Sequence, residues 1–395
     1  MNLFSPDKGF SANLDLLRAI AVLLVLAQHL FKRFYIDQVA GMPTSSWGLF
    51  GVLLFFVHTC LVLMYSMDRR PLSGWPLLKN FATRRLFRIY PLSILAVVVA
   101  LSLHLDSDIN GIHGLSRGEF PGIVSAASNL LLIQNLTGAK SIVNVLWSLP
   151  FELQMYALLP FFFLWIHKSA SRSKSLCWPL LAIWAFSVAA AAMQPRVPAL
   201  SGFSVLVFIP NFLPGVIACT LPRRPRLPSL LWPLFILTLV VAFAARPALS
   251  TGWILCLLLG LMIPLFREMQ LGWLRWIANR IATYSYGIYL SHQFSLWIVF
   301  GPLASHSPAL RICVLLGTLT ALPVLLYHGI EKPMIKLGVR VADRVSGPSA
   351  VPSLVARPNL EVERHQLELS EEVASWRLRT RRPSTHSTLT YDPDR

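Results

Sequence analysis

Four polar strings interrupt a long apolar sequence, and each holds side chains suited to moving a proton or gripping an anion. The first contains Arg18 and His29, 11 residues apart. On a helix that separation is about 1100°, within about 20° of three full turns, and about 16 Å of rise, so the two share one face at different depths. Such a stripe could hold an anionic group at one level and offer a base at another. The second string, Thr83-Arg84-Arg85-Leu86-Phe87-Arg88-Ile89-Tyr90-Pro91, makes Arg85 and Arg88 i, i+3 neighbours, and planar guanidinium forks at that spacing suit phosphates. The third, Trp147-Ser148-Leu149-Pro150-Phe151-Glu152-Leu153-Gln154-Met155-Tyr156, sets Ser148, Glu152 and Tyr156 on one face. A carboxylate at the depth of His29 could fix the tautomer of the imidazole and stabilise its protonated form. The fourth runs from Tyr284 to His292, with Ser285, Tyr289 and His292 at i, i+4 and i+7, and could line a path for a sugar or a pantetheine arm.

Each string also has a plainer explanation. His29 could simply hydrogen-bond a neighbouring helix, Arg85 and Arg88 could anchor a membrane face, Glu152 could belong to a structural polar pair, and the fourth string could be polar glue between helices. His58 and Asn211 are weaker candidates.

The elements that carry these residues are apolar runs. The chain has 395 residues, 55% hydrophobic and only 13% charged, with a mean hydropathy of +0.58. That is more apolar surface than one soluble core hides, so lipid must cover much of it. Runs such as Leu14 to Phe31 and Trp47 to Met67 reach the roughly 18–20 residues that cross about 30 Å of hydrocarbon as helix, and none alternates in the period of a membrane barrel. At such depth a charged side chain costs about 2.5–3.5 kcal/mol, which makes Arg18, His29 and Glu152 site candidates by default.

Spanning helices are expected near 14–31, 47–67, 89–105, 147–166, 176–193, 203–220, 229–245, 249–266, 281–300 and 309–328, ten in all. The net charge of +17 does not point to nucleic acid, because the basic residues fall in short clusters between apolar runs. With the N-terminus inside, every interior loop is richer in Lys and Arg than the exterior loops beside it, which puts both termini in the cytoplasm. Segment 123–136 is too short in its apolar part to span and reads as interfacial or re-entrant. The first run carries Arg18, lacks a small-x-small cleavage site and is followed by many similar runs, so it reads as a retained helix. Cys60, Cys177, Cys219, Cys256 and Cys313 sit singly with no CxxC pair, and no metal site is expected. Residues 1–345 thus form one transmembrane unit. Residues 346–395, rich in Pro, Ser, Arg and Glu, read as a disordered cytoplasmic tail in which Leu360 to Leu378 could form a short amphipathic helix.

In order along the chain the four strings resemble the acyltransferase-3 family of bacterial integral membrane O-acyltransferases, over roughly residues 13–345. The resemblance rests on Leu14-Asp15-Leu16-Leu17-Arg18-Ala19-Ile20-Ala21-Val22 with His29, on Arg85, Arg88, Ile89 and Pro91, on Trp147, Ser148, Leu149, Glu152 and Tyr156, and on Ser285 to His292. Glu331-Lys332-Pro333 resembles the family's closing Glu-x-Pro. It departs at Phe151-Glu152, where many relatives carry two adjacent carboxylates, and the tail lacks the hydrolase-like domain that some relatives add. The resemblance implies transfer of an acyl group, commonly acetyl, from acetyl-CoA as co-substrate to a hydroxyl of a sugar, polysaccharide or lipid-linked glycan. It also implies a place in the bacterial inner membrane beside polysaccharide-biosynthesis partners. In that frame Arg85 and Arg88, with Arg18, hold the CoA, while His29, oriented by Glu152, acts as general base or is itself transiently acylated. Trp147, Ser148, Tyr156, Ser285, Tyr289 and His292 line the substrate path. A transporter or flippase is the main rival, since Arg, His and Glu within the membrane also build substrate paths, although no second half mirrors the first. A scaffold that recruits partners through its tail is the third reading.

Overall fold

The computed structural model describes residues 11–70, 72–105, 121–170, 176–197 and 202–347. The expected tail beyond Gly347, its helix at Leu360 to Leu378, and the loop cations Arg117, Arg172 and Lys174 lie outside the described residues.

The first helix, α1 (Ala12–Arg33), starts at Ser11, whose side chain accepts from the amide of Leu14. Glu268 supports that start from a distant part of the chain, accepting from the Ser11 hydroxyl at 2.9 Å and the Asn13 amide at 3.3 Å. A carboxylate is well placed there because the first amides of a helix lack intrahelical partners and its N-terminus is electropositive. A two-residue hairpin, β1 (Gln38–Val39) with β2 (Met42–Pro43), leads into α2 (Ser45–Asp68). Ala40 and Gly41 both take positive φ at its turn, as a tight hairpin requires.

Helix α2 is apolar on every side and lies at the centre of the bundle, with Phe50, Leu53, Leu54, Val57 and Leu61 fully buried. It packs on α1 on one side and on α8 (Ile209–Thr220) on another. Small residues permit the close approach: a Cβ on Gly51 would lie 2.6 Å from the Ala21 carbonyl oxygen, and one on Gly215 would lie 2.3 Å from that of Val57. Around this centre stand α3 (Gly74–Ser102), the short α4 (Ile123–Leu130) and α5 (Gln134–Thr137), α6 (Leu149–Ala170) and α7 (Cys177–Met193). The remaining helices are α9 (Leu231–Ala245), α10 (Leu249–Met262), α11 (Gly272–Phe300), α12 (Pro308–Leu326) and α13 (Lys332–Val345).

A helix occupies each of the ten expected segments. Six helical stretches are long and apolar enough to cross a membrane, namely Ala12–Arg33, Ser45–Asp68, Gly74–Ser102, Asn144–Ser169, Cys177–Arg196 and Pro308–Val345. Shorter apolar helices cover Ile209–Thr220, Leu231–Ala245 and Leu249–Leu265. The chain is therefore an all-α membrane protein. Segment 123–136 holds an eight-residue helix, about 12 Å long, which ends near the strained Leu132 with φ 55, and the start of the four-residue α5, neither long enough to span.

Three boundaries differ from the expectation. Helix α3 begins at Gly74, not near 89, and α11 begins at Gly272, not near 281. Apolar runs mark only the lipid-covered part of a helix, and the extra turns carry Lys79, Arg84, Arg85 and Arg88 in α3 and Arg275 and Arg280 in α11. Arg85 and Arg88 thus sit well inside α3. The last expected helix does not stop near 328: α12 passes through one wide turn at Tyr327–Glu331 into α13, where Pro333 is harmless because a first-turn residue needs no amide hydrogen.

Candidate active site

Helices α1, α2, α3, α6 and α11 enclose a cavity of about 220 Å³. Helical spacing turns the residues of each string to the same side: Arg85 and Arg88 from α3, Ser148 from the turn just before α6 with Glu152 and Tyr156 from its start, and Ser285 and Tyr289 from α11 all line it, with Arg18 from α1. Eight residues expected in donor binding, catalysis or the substrate path thereby meet around one space.

The cationic wall is under-satisfied. The Nε atoms of Arg18 and Arg85 are buried and have no hydrogen-bond partner. Arg85 lies over the Phe81 ring at 5.9 Å, a contact that satisfies charge but no N–H. Arg88 pairs with Glu331 at 3.6 Å, an ion-pair distance and not a hydrogen bond, and both carboxylate oxygens of Glu331 remain without a hydrogen bond. Buried polar groups are normally satisfied, so guanidinium groups left short of partners on a cavity wall have capacity for an anionic ligand. Arg84, by contrast, turns away to Asp343 at 2.8 Å and to Asn80.

Opposite stands one carboxylate. Glu152 accepts from the Thr59 hydroxyl at 3.2 Å and also hydrogen-bonds Tyr156, with Arg18 and Arg88 within electrostatic reach. At the inner end of the cavity the Tyr289 hydroxyl donates to the Val145 carbonyl at 2.6 Å. Its single proton being used there, it accepts from the Ser148 hydroxyl at 2.8 Å. Tyr286 is likewise pinned, donating to the Ile89 carbonyl at 2.8 Å.

His29 and His292 do not line this cavity. They face each other across α1 and α11 with ring centroids 4.9 Å apart, and the ring of Tyr289, which lines the cavity, lies 6.4 Å from that of His292. Each Nδ1 lies within hydrogen-bond distance of a backbone carbonyl one turn back, 2.8 Å to Val25 for His29 and 2.9 Å to Ile288 for His292. A carbonyl only accepts, which assigns the proton of each neutral ring to Nδ1 and the lone pair to Nε2. The Gln293 amide is 3.3 Å from Nε2 of His292 and occupies that lone pair. His29 is left as the imidazole with an uncommitted base.

The structure thus does not pair Glu152 with His29 as the sequence suggests. The carboxylate is held by α2 and its own helix, while the imidazole is held by its own backbone and faces α11. Trp147 is also displaced from the substrate path, packing on Phe151 and Phe208 with ring centroids 6.2 and 5.7 Å away. Four residues missing from the expected set belong to the site or its wall: His58, Thr59, Tyr286 and Glu331. A lone His in the apolar run of α2 was the available signal for His58. Nothing local ties Glu331 to Arg88, since the contact is made only by the packing of the helical segment after α12 against α3. Asn211 is fully buried away from the cavity, with its amide on Cys256.

The family model described as an acyltransferase domain matches residues 11–328, which takes in every helix lining the cavity. No curated protein and no solved structure matches the chain. The matched span, the apolar helices and the strings that converge on the cavity lead to one assignment: the chain belongs to the acyltransferase-3 family and is a multi-pass membrane acyltransferase.

Proposed function

We propose that the chain transfers an acyl group, acetyl first among them, from an acyl-CoA on the cytoplasmic side to a hydroxyl of a sugar, exopolysaccharide or lipid-linked glycan. It does so in a bacterial inner membrane, crossing it ten times with both termini cytoplasmic, alongside the enzymes that build the glycan. The carrying observation is the convergence of Arg18, Arg85 and Arg88 on one cavity, two of them with a buried Nε left unpartnered. The three guanidinium groups make the donor-only wall that phosphates require, and by the charge bias it lies toward the cytoplasmic end.

In this reading the phosphates of CoA meet the arginines and the thioester reaches the layer of Ser148 and Tyr289. The acceptor comes from the opposite side, where His29 is half-buried near the end of α1. Its hydroxyl proton passes to Nε2 of His29 while its oxygen attacks the thioester carbonyl carbon. The tetrahedral oxyanion collapses, the C–S bond breaks, and the CoA thiolate takes the proton from the imidazolium, leaving an ester and free CoA. Glu152 sets the orientation of Arg18 and Arg88 around the donor, in keeping with its electrostatic reach to both.

The purified chain in liposomes, given acetyl-CoA and an oligosaccharide, is the test. Acceptor-dependent release of free thiol, matched by ester on the sugar, is expected. Movement of the oligosaccharide across the bilayer without thiol release would overturn the reading in favour of transport.

A further inference from the structure

A second cavity, of about 330 Å³, opens between the start of α1, the end of α2 and the segment before α11, lined by Arg18, Arg69 and Arg223 and by the carboxylates of Asp15 and Glu268. It shares Arg18, His58, Val62 and Ser66 with the first cavity, so the two adjoin along that wall. Residues 58, 62 and 66 follow at i, i+4 and i+8, which lays a continuous stripe about 12 Å long on one side of α2.

His58 is only 5% exposed and, among the described residues, makes no hydrogen bond. A polar ring this deeply buried ordinarily has a partner. The guanidinium of Arg18 beside it only donates, which fits anionic oxygen. An imidazole carries one donor and one acceptor in a single ring, the pattern that meets an amide. The wall of the first cavity therefore offers anion-binding guanidinium groups and, on α2, one amide-matching ring.

We propose that His58 binds an amide of the pantetheine arm on the wall that the two cavities share, with the phosphates on Arg18, Arg85 and Arg88 and the thioester beyond them at the layer of Ser148 and Tyr289. This rests on acyl-CoA being the donor. It makes His58 a donor-binding residue that reads the arm and not the head of CoA.

The test compares two probes on the purified full-length chain: acetyl-CoA, and adenosine bisphosphate, which has the nucleotide head without the arm. His58→Leu is expected to weaken acetyl-CoA about tenfold, the worth of one or two neutral hydrogen bonds, and to leave adenosine bisphosphate unchanged. His58→Gln, which keeps both a donor and an acceptor, is expected to retain most of the acetyl-CoA affinity, and thermal unfolding of each variant checks its fold. Equal loss of both probes, or unchanged acetyl-CoA binding in His58→Leu, overturns the assignment while leaving the acyl-CoA reading intact. Absence of acetyl-CoA binding in folded wild type removes both.

Discussion

Replacing His29 by alanine is expected to lower the rate of acyl transfer by about 10²–10⁴-fold, the usual worth of a positioned general base, while acetyl-CoA affinity stays within about twofold. The separation follows from the geometry. His29 lies beyond the Tyr289 layer and touches neither Arg85 nor Arg88, so the donor's phosphates do not depend on it. Among the described residues it alone of the two facing imidazoles has an Nε2 free of partners, because Gln293 occupies that of His292. His292→Ala should accordingly cost less, acting through the packing of its neighbour. Steady-state transfer rates read beside a donor titration decide the matter: a His29→Ala protein that turns over normally, or that loses donor binding in step with rate, contradicts the assigned role.

Replacing Arg88 by alanine is expected to lower both stability and donor affinity, by separable routes. It strips the carboxylate of Glu331, 1% exposed and already without a hydrogen bond, of its ion-pair partner. Leaving one member of such a pair costs about 3–5 kcal/mol, here toward the lower end because Arg18 is also within electrostatic reach of Glu331. The double variant Arg88→Ala/Glu331→Gln removes the stranded charge and should recover most of the unfolding temperature, but not the binding of acetyl-CoA. Thermal unfolding in detergent alongside a donor titration separates the two. Recovery of binding together with stability would mean that Arg88 only holds the fold.

The helices were legible wherever lipid covers them, because spans of apolar residues have one stable solution in a bilayer. The added first turns of α3 and α11 were not, since they mix cations with aromatic residues and contain no apolar run: Lys79 over Trp75 and Arg280 over Trp276 are contacts made there. The inward faces of the strings were legible as well. Spacing along one helix fixes direction, and Ser148, Glu152 and Tyr156 do face one cavity. What spacing does not fix is which helices touch. His29 and Glu152 were expected to meet because they share a depth, but α1 packs on α2 and α11, whereas α6 packs on α2 and α3. Equal depth on helices that face different neighbours brings no contact. The pairing of Glu331 with Arg88 was not legible for the same reason, being made only through packing of the turn before α13 against α3.

The most direct measurement is a calorimetric titration of acetyl-CoA into the detergent-purified chain, with wild type set against Arg85→Ala. Arg85 makes no ion pair among the described residues, so its loss tests the anion site without stranding a buried charge. Micromolar binding by wild type that weakens in Arg85→Ala is the predicted result. Well-folded wild type that binds no acetyl-CoA, or an Arg85→Ala variant that binds it equally well, contradicts a donor held by the cavity arginines.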